Sequence, residues 1–126
     1  MRHVTAALMM RNNTVFIARR PAQDRLAQKW EFPGGKIEAS ETPEACLRRE
    51  MYEEFRVDVE VGAHFADSIY HYDHGSIRLA AYWTNWTNGH LQPTVHDRVS
   101  WVPLAELSRY DFAPADVPLV KRLADI

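Results

Sequence analysis

The sequence predicts an α/β domain with a mixed sheet between helices, and three observations carry that reading. Apolar, strand-like segments dominate the first twenty residues. A strong helix start at Thr42-Pro43-Glu44 opens a helix in the middle of the chain. A second helical segment, entered through Pro114, closes it.

Each element follows from local pattern. Val4 to Met10 and Thr14 to Ala18 read as paired strands, with Arg11-Asn12-Asn13 as their turn. Residues 19 to 29 are polar and read as a loop. Trp30-Glu31-Phe32 reads as a short strand, stopped by Pro33-Gly34-Gly35. Thr42 suits an N-cap, Pro43 the first helical position, and Glu44 the positive end of the helix dipole. That helix is expected to run to about Phe55. Val57 to Val61, Phe65 to Tyr72, Ile77 to Thr87 and Val99 to Val102 are strand-like. Leu104 to Leu107 and Ala115 to Ala124 read as helical.

With 126 residues and 14.6 kDa, the chain has the size of one domain, spanning 1–126. Its 46% hydrophobic and 25% charged residues describe a globular protein. A single cysteine, Cys46, excludes an internal disulfide and a cysteine-based zinc site, and suits a reducing cytoplasm. The apolar run Ala6 to Met10 is too short to span a bilayer, and the N-terminus lacks the apolar core of a secretion signal. The net charge of -2 argues against a nucleic-acid-binding stripe. The expectation is therefore a cytoplasmic monomer with neither a nucleic-acid polymer nor a membrane as partner.

Charge is unevenly placed. Residues 1 to 36 hold seven of the 15 basic groups, and residues 31 to 60 hold nine of the 17 acids. Such a division describes either two solvated faces or a site that grips an anion with cations and a divalent metal with carboxylates.

Helix spacing bears on that choice. Glu50 and Glu54 stand four residues apart and Glu53 three from Glu50, so all three carboxylates share one side. Leu47, Met51 and Phe55 form the adjacent apolar stripe, which leaves Glu54 at the edge of the core. Crowded, partly buried carboxylates repel one another unless a cation joins them. Mg²⁺, with Mn²⁺ as the other candidate, is the natural guest of hard oxygen ligands. An acidic face neutralised by Arg48 and Arg49 is the alternative. Just upstream, Gly34-Gly35-Lys36 would allow backbone to approach a ligand closely and supply a charge for phosphate, although the spacing is not that of a P-loop.

Loop and helix together resemble the Nudix box. Gly35, five residues, Glu41, seven residues, then Arg49-Glu50-Met51-Tyr52-Glu53-Glu54-Phe55-Arg56-Val57 matches that pattern at eight of its nine specified positions. Arg56 is the departure, standing where the family has a helix-ending glycine, and it implies backbone strain or a different helix exit. Arg19-Arg20-Pro21, Trp30 to Glu38 and Phe112 to Pro118 resemble the MutT-like branch, which includes 8-oxo-dGTP and CTP pyrophosphohydrolases.

The resemblance implies a Nudix-type α/β/α sandwich with a mixed β-sheet. It implies Mg²⁺-dependent hydrolysis of a nucleoside triphosphate to monophosphate and pyrophosphate. Glu50, Glu54 and the Gly34 carbonyl would be metal ligands, and Glu53 a ligand or a general base. Arg49 would orient the glutamates, while Arg20 and Lys36 would hold phosphate. A further glutamate of the branch falls at Val95, so His96 or Asp97 could take its role, or Glu53 could act as base alone. Asp116 occupies the base-reading place. As an acceptor-only carboxylate it favours donor-rich edges, hence (d)CTP or 5-substituted (d)CTP. Protonated, it could also donate and read an oxidised purine such as 8-oxo-dGTP; its other reading is an N-cap of the last helix. A non-catalytic nucleotide-binding sensor is the rival from another class. His71 and His74, which flank Asp73, resemble a metal cluster only superficially.

Overall fold

Asn12 and Asn13 both take left-handed backbone (φ 52° and 63°), a conformation asparagine tolerates better than most residues. They form a two-residue turn that sets Arg11 opposite Thr14, joining β1 (Arg2–Arg11) to β2 (Thr14–Arg19). The computed structural model describes residues 1–126. After β2 come β3 (Trp30–Glu31), β4 (Gly34–Lys36), α1 (Pro43–Phe55), β5 (Asp58–Tyr72), β6 (Gly75–Asn88) and β7 (Arg98–Pro103). Two 3-10 segments, Leu104–Arg109 and Pro114–Asp116, lead into α2 (Val117–Leu123).

The sheet runs β3-β2-β1-β6-β5, with β4 also pairing β1 and β7 also pairing β2. Strands β1 and β6 are parallel and the other pairings antiparallel, which makes the sheet mixed. Alternation along β1 and β2 builds two cores. Ala6, Leu8, Val15 and Ile17 face Leu119, Val120 and Leu123 of α2. Ala7, Met9, Phe16 and Ala18 face Leu47, Met51 and Phe55 of α1. The result is the α/β/α sandwich, and it fixes α1 with its apolar stripe down and its carboxylates at the sheet's edge.

Three segments differ from the sequence reading. Gly34-Gly35-Lys36 is not a loop but a short strand, because it pairs with Val4, Thr5 and Ala6 of β1. The segments expected at Val57 to Val61 and Phe65 to Tyr72 join, from Asp58 on, in one long strand, β5. Register shifts against β6 between Val61 and Ala66 absorb the interruption that Gly62 suggests. The region around Ala115 is split, with a 3-10 turn before a short α2.

Helix α1 starts and stops as its sequence dictates. The Thr42 hydroxyl accepts a hydrogen bond from the Ala45 amide at 3.1 Å. At the other end Arg56 is left-handed (φ 60°, ψ 32°), and its amide donates to the Tyr52 carbonyl at 2.9 Å. The chain therefore makes the exit a glycine would make, with the strain of a side chain in that region. No helix is long and apolar enough to cross a membrane.

Candidate active site

Arg49 organises the acidic face of α1. Its guanidinium donates to Glu41 at 2.7 and 3.0 Å, to Glu50 at 2.6 Å, to Glu53 at 3.0 Å, and to the Lys36 carbonyl at 3.1 Å. One arginine thus ties the helix to β4 and to the segment before Thr42. Its hydrogen bonds hold the Glu41 carboxyl at about 2. Arg49 hydrogen-bonds the glutamates and does not line the cavity.

Glu54 stands apart from this network. Its Oε1 is buried and has no hydrogen-bond partner. Burial, then the charges of Glu31 and Glu50, push its carboxyl up to about 8. Burial also raises Glu50, against the opposing pull of Arg49. Glu53 is half-exposed on the same side. The loop after β6 closes the end of α1. Gln92 and Thr94 amides donate to the Phe55 and Glu54 carbonyls, and the Thr94 hydroxyl donates to the Glu53 carbonyl at 2.9 Å. These bonds satisfy carbonyls that the helix end leaves open.

Strand β4 lies against the Glu50 carboxylate because Gly34 and Gly35 lack side chains. A Cβ on Gly35 would stand 2.3 to 2.8 Å from the carboxyl atoms of Glu50, and one on Gly34 would stand 2.0 Å from the Thr5 carbonyl oxygen. Glu50 therefore rests on bare backbone. The hydroxyl of Thr5 donates to the Gly35 carbonyl at 3.1 Å and locks that backbone to β1.

Beyond the two glycines opens a cavity of about 400 Å³, large enough for a nucleotide-sized ligand. Arg20, Glu31, Gly34, Lys36, Tyr72 and Asp116 are among its walls. The predicted phosphate-binding and base-reading residues thus share one space, next to the acidic helix. Lys36 makes no ion pair. Arg20 does: Nη1 reaches Asp24 at 3.1 Å, while Nε and Nη2 reach Glu31 at 2.9 and 2.8 Å. Three of its five N–H groups are engaged and two remain for an anion. Arg2 and Arg25 also line the cavity without ion pairs, and neither drew attention in the sequence.

Asp116 is not a helix cap. Its side chain makes no capping hydrogen bond; instead Oδ2 accepts from the Phe32 amide at 2.9 Å. Burial, then the charge of Glu31, push its carboxyl up to about 8. This push is toward the neutral form, in which the Phe32 bond to Oδ2 leaves Oδ1 as the hydroxyl that can donate. A stability consequence follows. An unfolded aspartate titrates near ~3.9, so between about pH 4 and about 8 the folded chain holds a proton that the unfolded chain has lost. Stability contributed by this neutral form is full below pH ~4 and is lost as pH rises toward ~8, and Glu54 adds a trend of the same sign. We expect Tm measured in EDTA to fall from pH 5 to 8, with a visibly flatter slope for Asp116→Asn. Identical slopes for the two proteins would contradict the assignment.

The loop at 91 to 98 does not restore a carboxylate where Val95 lacks one. Val95 is exposed. Asp97 is held by Arg19 through two bonds of 2.9 and 3.0 Å, as a structural pair. His96 is buried, with Nε2 2.7 Å from Glu31 Oε2. Neither residue reaches the glutamates of α1 by hydrogen bond. His71 pairs with Ser76 and His74 stacks on Tyr72 at the cavity wall, so these histidines do not cluster. Glu31 is the functional candidate that the sequence reading passed over. Its signal was an acid between two aromatic residues in a strand.

A divalent cation fits this donor set. The buried, unpartnered Glu54 oxygen and the unfavourable proximity of Glu31, Glu50 and Glu53 mark a place short of positive charge. Its donors are hard carboxylate oxygens beside glycine backbone. In the resting geometry Arg49 holds Glu50 and Glu53, and no three acidic, histidine or cysteine side chains share one coordination shell. Glu50 and Glu53 would have to turn from Arg49 to complete one.

A family model described as the NUDIX domain matches residues 4–122. The CTP pyrophosphohydrolase of Escherichia coli K12 is 36% identical over 118 residues, covering 94% of this chain and 87% of that protein. A putative 8-oxo-dGTP diphosphatase 2 of Mycobacterium tuberculosis H37Rv is 37% identical over 124 residues, covering 96% and 86%. The solution structure of the E. coli ORF135 protein superimposes with a TM-score of 0.84 at 35% identity, covering 96% of this chain and 86% of that one.

Proposed function

The chain belongs to the Nudix family, and on that premise we propose that it is a MutT-like pyrophosphohydrolase converting a nucleoside triphosphate and water to a nucleoside monophosphate and pyrophosphate. The observation that carries this reading is one cavity lined by Lys36, Arg20 and Asp116 together, with Glu50 of the acidic helix against Gly35 of its wall. A triphosphate placed with its base at Asp116 would direct its phosphates toward the acidic helix. The relatives' printed activities, on CTP and on 8-oxo-dGTP, support the same class of substrate.

Nudix hydrolases generally use divalent metals. Here Glu50, Glu54 and the Gly34 carbonyl would hold Mg²⁺, or Mn²⁺ in its place, with Glu53 as a further ligand or as the base. Such an ion supplies charge neutralisation on the phosphates and a more acidic bound water. The chain's own residues do the rest. Arg49 sets the rotamers of Glu50 and Glu53, Lys36 and the two remaining Arg20 N–H groups hold phosphate oxygens, and the Phe32 amide fixes Asp116.

The preferred substrates are (d)CTP and its 5-substituted forms. Ionised, Asp116 only accepts, which suits the donor-rich cytosine N4 amine. Neutral, the form toward which burial pushes it, it offers a donor and an acceptor that meet the O6 and N7–H of 8-oxoguanine, which supports 8-oxo-dGTP as the second reading. Asp116→Asn separates the two. An amide keeps an acceptor for the Phe32 amide but cannot ionise to meet a donor-rich edge. We expect kcat/KM for CTP to fall relative to that for 8-oxo-dGTP. An unchanged ratio would remove Asp116 from base reading.

A further inference from the structure

His96 enters the site from an unexpected direction. The loop that carries it is anchored on both sides. Thr94 bonds to the end of α1, and the Asp97 amide donates to the Arg19 carbonyl at 3.1 Å. Between these anchors the His96 ring is driven inward. Its side chain is 2% exposed and stacks on Phe55 with centroids 5.2 Å apart and planes 15° from parallel. Nε2 lies 2.7 Å from Glu31 Oε2, while Nδ1 is buried without a partner. An N–H at Nδ1 would be an orphaned buried donor, so the hydrogen-bond network assigns the proton to Nε2, which donates to Glu31.

Glu31 is thereby held by both oxygens. Oε2 accepts from His96, and Oε1 accepts from Nε of Arg20 and forms an ion pair with its Nη2 at 2.8 Å. Its side chain is 13% exposed, so little water competes for either oxygen. Arg20 is in turn held at Nη1 by Asp24. A continuous row therefore runs from the end of the catalytic helix, through Phe55, His96 and Glu31, to the guanidinium in the cavity wall.

We propose that His96 is a positioning residue for Arg20. Acting through Glu31, it fixes the plane of the guanidinium so that the two unengaged N–H groups face the cavity. The loop at 91 to 98 thus serves the site with an imidazole that orients a phosphate-binding arginine, where a carboxylate was sought. Ionic bonds from Glu31 and Asp24 alone leave a rotatable carboxylate behind the arginine; the buried imidazole removes that freedom. In its kinetic consequence this rests on the proposed triphosphate reaction.

The test uses His96→Leu, which keeps the apolar contact with Phe55 and removes the donor, and His96→Gln, whose amide can still donate to Glu31. The first readout is the Arg20 Nε–H signal in ¹⁵N spectra of the protein alone, assigned with Arg20→Lys. We expect a sharp, slowly exchanging signal in the native protein and in His96→Gln, and a broadened or lost one in His96→Leu. The second readout is turnover of CTP and 8-oxo-dGTP with Mg²⁺. His96→Leu is expected to raise KM by about tenfold, the scale on which partners that orient a binding group act, with kcat changed much less and with rescue by His96→Gln. In an Arg20→Ala background His96→Leu is expected to add nothing, because the two act as one unit. An Arg20 signal indifferent to His96→Leu, or a full multiplicative loss in the Arg20→Ala background, would overturn the proposal. Absence of turnover by the native protein would sink the proposed reaction, while the Arg20 signal would still decide the role of His96.

Discussion

Glu54→Gln is expected to lower kcat by about 10²–10³-fold, the scale of removing one preorganised charged group from a reacting centre. Its Tm without metal is expected to match or exceed that of the native protein. The reasoning starts from burial. Glu54 is partly buried, one of its oxygens is buried without a partner, and the charges of Glu31 and Glu50 act on it more strongly than that of Arg20. In the folded chain this carboxyl is a liability, since ionising it means placing a partly buried charge near Glu31 and Glu50 with only the weaker pull of Arg20 to offset them. Glutamine keeps the volume and removes the charge. A residue that the fold would be better without, and that still stands at the edge of the core, is retained for what it holds. Stability and activity therefore move in opposite directions in this variant. Native turnover in Glu54→Gln would contradict its place among the ligands.

Gly35→Ala is expected to abolish most turnover while the protein still folds. The new methyl group would meet the Glu50 carboxyl at 2.3 to 2.8 Å, and that carboxyl is the movable end of a long side chain. Glu50 swings away and leaves its 2.6 Å bond to Arg49, while the backbone pairing of β4 with β1 persists. A displacement of about 1 Å at a reacting centre is enough to cost about 10²-fold in rate. Gly34→Ala behaves differently. Its Cβ would stand 2.0 Å from a backbone oxygen of Thr5, which cannot rotate away, so the strand itself is disrupted. Kinetics and circular dichroism on the two variants separate these outcomes. Full activity in Gly35→Ala would mean that Glu50 does not need its place against β4.

The contrast between the two glycines also shows how much the sequence disclosed. The crowding of Glu50, Glu53 and Glu54, the pairing of Arg49 with that acidic face and the Thr42 cap were legible because helical spacing is a local property. The two-sided sheet was legible from alternation in β1 and β2. Gly34 to Lys36 misread as a loop because two glycines carry no strand signal; their pairing is imposed from outside, by β1. The contact that residues 91 to 98 make was illegible for a related reason. His96 finds Glu31 across 65 positions of sequence, and no local pattern announces such a contact. The burial of Asp116 was illegible too, because the groups that enclose it and the Glu31 charge that pushes its carboxyl up come from distant parts of the chain.

The central claim is the reaction itself. The most direct measurement is product analysis with Mg²⁺ across CTP, dCTP, 5-methyl-dCTP, 8-oxo-dGTP and the ordinary triphosphates, with kcat/KM for each. The account predicts monophosphate and pyrophosphate in equal amounts, highest kcat/KM for a cytosine compound, and loss of turnover in EDTA. Tight nucleotide binding with no pyrophosphate from any triphosphate would contradict it and identify the chain as a nucleotide sensor on a hydrolase fold.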